Sequence, residues 1–239
     1  MLIILILAVM ILFIVVFTVF FDHAVLVRRG TIYHVDKTVK VVALTFDDGP
    51  SPKWTPQILD ELKKAGAKAT FFMLGEHVEK YPDIARRVAS EGHEIENHTY
   101  DHHVLIYYKP SELEKQIKDT ERIIKEVTGQ QTQYLRPPKA WLIGREKRQI
   151  GAMGYKVVLW TLNAKDWVNF DDKYIVGHIL SRVKPGDIIL MHDSGGVWGA
   201  EGGRRKQTVK TVPKLIEGLR NKGYSFVTMK ELLAETDGK

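Results

Sequence analysis

Two adjacent carboxylates, Asp47 and Asp48, stand in the segment TFDDGP at the end of an apolar, strand-like run. Successive side chains of an extended strand point to opposite faces, so the pair can serve one site only if the chain turns there. Gly49-Pro50 supplies that turn chemistry. Alone, the turn also has a bland reading, because aspartates at strand ends bond to nearby backbone N–H groups. A second cluster, HTYDHH, follows the run HEIEN. His98 and His102 share a face if this segment is helical, whereas the adjacent His103 points elsewhere. Two imidazoles, a carboxylate and a water form a frequent zinc arrangement with an open position, and Asp48 is the best candidate for the carboxylate. His93, at the start of its strand, reads as structural.

Arg136 follows a short strand in LRPP, where two prolines fix the path of the chain. A guanidinium held there near the carboxylate pair suits the task of keeping one of them ionised and oriented, since its fork matches a carboxylate. Asp166-Trp167 follows VVLWTL, and His192 emerges from the apolar run DIILMH. A histidine on such a strand is by default a satisfied core residue. Partnered by Asp166, it would have a raised pKa and could act as a general acid.

Strand-like runs alternate with helical patterns in a way that brings these residues to one end of a sheet. The strands read as VKVVALTF, KATFFML, HEIENH, YLRPP, YKVVLWTL, DIILMHD and YSFVTM. Helices are predicted around Pro56–Lys64, His77–Ser90, Glu112–Val127, Arg145–Met153, Lys173–Val183 and Val209–Asn221. Ser111 and Glu114 read as a capping box, with Gly129 as the C-terminal cap. Apolar strands alternating with helices imply an α/β fold with a parallel sheet, as a barrel or an open doubly wound sheet. The polar candidates fall at the C-terminal strand ends, the face where barrel enzymes gather their chemistry.

The 239 residues carry a formal charge of +6 with a pI near 9.3, which favours anionic partners such as a cell-wall polymer. Basic residues are dispersed without a recognition motif, so nucleic acid is not an expected partner, and no protein partner is evident. The absence of cysteine excludes disulfides and thiolate ligands, leaving His, Asp and Glu for any metal. Leu2 to Phe21 is apolar apart from Thr18 and would measure about 30 Å as a helix, so a transmembrane anchor is expected over 1–21. A cleaved signal peptide is the rival reading. Residues 22–37 then form a juxtamembrane segment and 38–239 one catalytic domain. Arg28 and Arg29 follow the run with no basic residue before it, which by the charge rule opposes export.

TFDDGP, HTYDH, RPP, DW and LMH, in that order over about 150 residues, resemble the five motifs of the carbohydrate esterase family 4 polysaccharide deacetylases, the NodB homology domain. The resemblance implies a distorted (β/α) barrel, here preceded by one N-terminal transmembrane helix. It implies one divalent metal, zinc or else cobalt, manganese or nickel, held by Asp48, His98 and His102. Asp47 would be the general base, Arg136 its orienting partner, His192 the general acid and Asp166 the residue that tunes it. Substrate contacts are expected at Pro137, Trp167, Leu190 and Trp198. Lys139-Ala140-Trp141 and the NAK before Asp166 depart from the family pattern at groove positions. The implied activity is removal of N-acetyl groups from N-acetylglucosamine units of peptidoglycan, with chitooligosaccharide or acetylxylan as alternative substrates. The chain is expected as a single-pass membrane protein with an extracytoplasmic domain. A non-catalytic wall-binding protein and a two-metal phosphoesterase are the rival functions.

Overall fold

The structure, a computed structural model, describes residues 2–23, 27–168, 171–195 and 203–234. Eight strands form one sheet: β1 (Val41–Asp47), β2 (Thr70–Met73), β3 (Glu94–Asn97), β4 (Tyr134–Leu135), β5 (Lys156–Val157), β6 (Leu162–Asn163), β7 (Ile188–His192) and β8 (Ser225–Phe226). Their order is β5-β4-β3-β2-β1-β7-β6, with β8 beside the start of β1, and every pairing is parallel. Helices cover its outer face: α2 (Thr55–Ala65), α3 (Gly75–Lys80), α4 (Pro82–Ser90), α5 (Pro110–Thr128), α6 (Gly144–Ala152), α7 (Asp172–Leu180) and α8 (Lys206–Asn221). The short α9 (Met229–Ala234) buries Met229 and Leu232 with Ala43 and Phe72 in the inner cluster.

The expected distorted (β/α) barrel is corrected to a curled half-barrel. The run YKVVLWTL does not form one strand. It supplies β5 at one edge of the sheet and β6 at the other, and among the described residues these edges do not pair. The crossing backbone finds other partners: Ile32 bridges Val158, and Leu159 N–H donates to Ile32 O at 2.7 Å. The segment expected as a juxtamembrane linker is therefore tied to the sheet, with Val35 buried in the core.

The transmembrane helix is a second correction. Helix α1 runs from Leu2 to His23, but among the described residues no helix is long and apolar enough to cross a membrane. Its Phe17 lies instead on the wall of the cavity described below.

Strand alternation sorts β1 into two roles. Val42, Leu44 and Phe46 point outward into the main core with Phe71, Met191 and the apolar faces of α2 and α8. Ala43 packs inward with Phe72, Ile188 and Leu190. Thr45 and Asp47 share its parity and so also face the inside of the curl. The capping box of α5 sits two residues earlier than expected, because Pro110 occupies the first turn and Lys109 N–H donates to Glu112 Oε2 at 2.9 Å. Gly129 caps the other end with φ 77, as expected. Pro82 divides the helix expected over His77–Ser90 into α3 and α4.

Candidate active site

Asp47 is the last residue of β1, in register with His192 on β7 and Phe72 on β2. Side by side on adjacent strands, Asp47 and His192 are placed by the ladder. Asp48 would point away, but its φ of 77 breaks the strand and swings its carboxylate back to the same end. Non-glycine residues hold this left-handed conformation at a cost of about 1–3 kcal/mol, and such strain concentrates at functional sites. Thr99 (φ 69) and His102 (φ 63) share it.

Those two angles replace the helix expected for HTYDHH. The segment after β3 is an irregular turn in which Asn97 Oδ1 accepts from Thr99 N–H at 2.8 Å. It carries His98 Nε2 to 3.3 Å and His102 Nε2 to 3.1 Å from the same oxygen, Asp48 Oδ1. One ligand atom from each of the three lies within 4.8 Å of the others. His98 Nδ1 stands 2.7 Å from Arg136 O. Donating to that carbonyl fixes the tautomer and leaves Nε2 free to bind a metal. Burial alone would raise the Asp48 carboxyl, but the His102 charge and hydrogen bonds from His102 and His98 hold it well below the usual carboxylate range. Two imidazoles and a carboxylate converging on one point suit a divalent cation with an open coordination position. His103 is outside the cluster, at 3.0 Å from Asp101. His93 is buried, accepts from Ala69 N–H at 3.2 Å and is held neutral by burial at a pKa of about 4, a structural role.

Arg136 is fully buried and fills the inside of the half-barrel. Its Nη1 donates to Asp47 Oδ1 at 2.7 Å and Thr45 Oγ1 at 2.8 Å, and its Nη2 to Leu159 O at 3.0 Å, while Phe72 lies under the guanidinium. The break in the run 155–162 thus supplies a carbonyl that a continuous strand would have spent on the ladder. Asp166, also fully buried, takes His192 Nδ1 at 2.8 Å, His192 N–H at 2.9 Å and the Thr208 hydroxyl at 2.7 Å. Burial would lower the His192 pKa, yet the Asp166 charge and hydrogen bond, with Asp48 behind them, raise it above the ordinary value. Asp166 is lowered in turn: burial opposes ionisation, and His192, Arg205 and Thr208 outweigh it.

These groups open on one cavity of roughly 530 Å³. Asp47, Asp48, His98, His102 and His192 line it, together with three residues expected at the substrate: Pro137, Trp167 and Leu190. Trp198, the fourth, lies outside the described residues. The sequence reading missed Asp193. It is buried, its Oδ2 accepts from the Thr55 hydroxyl at 2.6 Å, and burial pushes its pKa up to about 7. It also missed Thr45, Arg205 and Thr208, which hold the functional groups from distant parts of the chain. The one local signal was the Asp directly after His192.

The family model described as polysaccharide deacetylase matches residues 34–158. A peptidoglycan-N-acetylglucosamine deacetylase of Bacillus cereus is 37% identical over 203 residues, covering 84% of this chain and 92% of the relative. Another Bacillus cereus protein of that name is 38% identical over 188 residues, covering 79% of this chain, which spans 66% of that longer relative. Among solved structures, a peptidoglycan N-acetylglucosamine deacetylase in complex with 4-naphthalen-1-yl-N-oxidanyl-benzamide superposes with a TM-score of 0.80 at 35% identity, covering 85% of this chain and 92% of the other. With more than half of its length matched by one family model, and a relative spanned almost end to end, the chain belongs to the polysaccharide deacetylase family, carbohydrate esterase family 4.

Proposed function

We propose that this chain is a metal-dependent N-deacetylase that hydrolyses the acetamide of N-acetylglucosamine units in peptidoglycan. The observation that carries this reading is the pairing of unlike acid–base groups across one metal-suited cluster. Asp47 is held by Arg136, and His192 by Asp166, on neighbouring strands at the rim of one cavity.

Asp48, His98 and His102 would hold the metal, with zinc the best match to this donor set. Bound there, a divalent cation supplies Lewis acidity toward a carbonyl and lowers the pKa of water. Asp47, kept in place and countered in charge by Arg136, accepts the proton of the attacking water. His192, protonated through its pairing with Asp166, donates its Nε2 proton to the departing amine. Each proton transfer is worth roughly 10²–10⁴-fold. Pro137, Trp167 and Leu190 shape the wall beside the sugar. The unit that acts is residues 38–239, with 31–37 packed along its edge, and a cell-wall substrate places that unit on the outer side of the cytoplasmic membrane.

The test is acetate release from peptidoglycan, chitooligosaccharides and acetylxylan, with and without chelator. Release from peptidoglycan that stops with chelator and returns with added zinc supports the reading. Release that ignores the chelator overturns the metal role, and release from acetylxylan alone overturns the substrate.

A further inference from the structure

The cavity wall carries a cation that the proposed reaction does not use. Lys139 sits in the 3-10 turn Pro138–Ala140, directly after the two prolines that follow Arg136. Its neighbours Pro137, Pro138 and Ala140 are buried, while Lys139 is exposed and lines the cavity. Both Lys139 and Ala140 have φ 55, a left-handed conformation that L-residues adopt at a cost. No hydrogen bond or ion pair at Lys139 offsets that cost, since its ammonium has no partner among the described residues. Arg205, on the same wall, is differently placed: its Nε donates to Ser194 O at 2.7 Å and its Nη1 to Arg204 O at 3.1 Å. Lys139 is therefore the lining cation left available to a ligand.

Its surroundings indicate what that ligand carries. Tyr107, 78% exposed, and Trp141, 36% exposed and two residues along the chain from Lys139, line the same cavity and offer aromatic faces of the kind that pack against the apolar side of a sugar ring. The acidic residues of the wall are already countered, Asp47 by Arg136 and Asp48 by two histidines. An ammonium on a flexible stem beside such a platform attracts a compact anion through charge rather than through fixed geometry. The chain as a whole is basic, at +6.

We propose that Lys139 is a specificity-determining residue that reads a carboxylate borne by the glycan, so that the cavity favours an anionic polymer over a neutral one. This rests on the deacetylase reading of the same site. In peptidoglycan that carboxylate has two sources: the lactyl group of muramic units in peptide-free strands, and the acidic residues of the stem peptides.

The experiment compares the full chain, zinc-loaded, with Lys139→Met and Lys139→Glu. The probes are neutral chitooligosaccharides, peptide-free muramyl glycans and peptide-bearing glycans of matched length. Affinity is read by calorimetry and acetate release in parallel. The wild type should favour an anionic glycan, and the preference should shrink with added salt. Lys139→Met should cut the anionic-to-neutral affinity ratio by roughly fivefold, the upper range for an exposed charge pair, and Lys139→Glu should cut it further. A fall confined to peptide-free glycans assigns the lactyl carboxylate, and one confined to peptide-bearing glycans assigns the stem. Ratios unchanged in both variants overturn the proposal. Acetate release from none of the substrates overturns the deacetylase reading, and the affinity ratios still decide the role of Lys139.

Discussion

Arg136 Nη1 stands 2.7 Å from Asp47 Oδ1, with the arginine fully buried and the aspartate 4% exposed. Burial pulls the arginine pKa down, and the Asp47 charge only partly restores it. Removing one member of such a pair leaves the other charge without compensation, at about 3–5 kcal/mol. Arg136→Met should therefore lower the melting temperature by roughly 6–20 °C, at 2–4 °C per kcal/mol for a domain of this size, and should abolish acetate release. Asp47→Asn keeps the shape and removes the base, and because it leaves the buried Arg136 without its counter-charge it should also lower the melting temperature. We expect turnover to fall by about 10²–10⁴-fold with zinc affinity retained, as read by acetate release and zinc titration. Near-normal turnover in Asp47→Asn would remove Asp47 from the base role.

His98 and His102 both aim Nε2 at Asp48 Oδ1. Zinc at about 100 times its Kd should stabilise the fold by about 2.7 kcal/mol, visible as a rise of several degrees in melting temperature. His102→Ala should remove that rise together with activity. Elemental analysis should find one metal per chain, whereas two would favour the phosphoesterase alternative.

The His192–Asp166 pair sets the alkaline limb of activity. The folded His192 pKa lies above its ordinary value of 6.5, so the general acid stays protonated past that pH and activity falls as pH rises through the folded value. The same shift means that the contribution of His192 to stability is complete below 6.5 and is lost as pH rises through the folded value, whereas that of Asp166, whose pKa is lowered, is lost only as pH falls below the ordinary carboxylate range. Asp166→Asn removes the main counter-charge and should move the alkaline limb of kcat to lower pH. A pH–rate profile whose alkaline limb does not move in Asp166→Asn would assign that limb to another group.

Gly195 has φ +74, and a Cβ there would lie 1.9 Å from Asp48 Oδ2. Gly195→Ala must displace either the loop or the carboxylate. We expect a drop in zinc affinity of about 10–100-fold, the range seen when support around a metal ligand is lost. Unchanged affinity in the zinc titration would show that the loop yields and the ligand does not.

Much of this site was legible in the sequence because strands are local objects. The apolar runs before Asp47, His98 and His192 bring each side chain to a C-terminal strand end whatever the rest of the chain does. Short-range chemistry, such as Gly129 at a helix end, was equally readable. The capping box was placed on Ser111 rather than Lys109, because two overlapping patterns competed and Pro110 decided between them.

Sequence by itself determined which side chains are available: two adjacent aspartates, histidines four apart, an arginine before two prolines, and an aspartate and a histidine on later strands. Tertiary structure decided how they meet. His98 and His102 converge through left-handed residues in a turn rather than through a helical repeat, and one apolar run divides between opposite edges of the sheet. Thr45, Leu159 O, Thr208 and Arg205 reach the functional groups or their supporting loop from other elements of the fold. The apolar N-terminal run did not yield a membrane span among the described residues. Periodicity reports only the local face of an element, whereas register between strands and the path of loops are set by contacts many residues apart, which no short window of sequence contains.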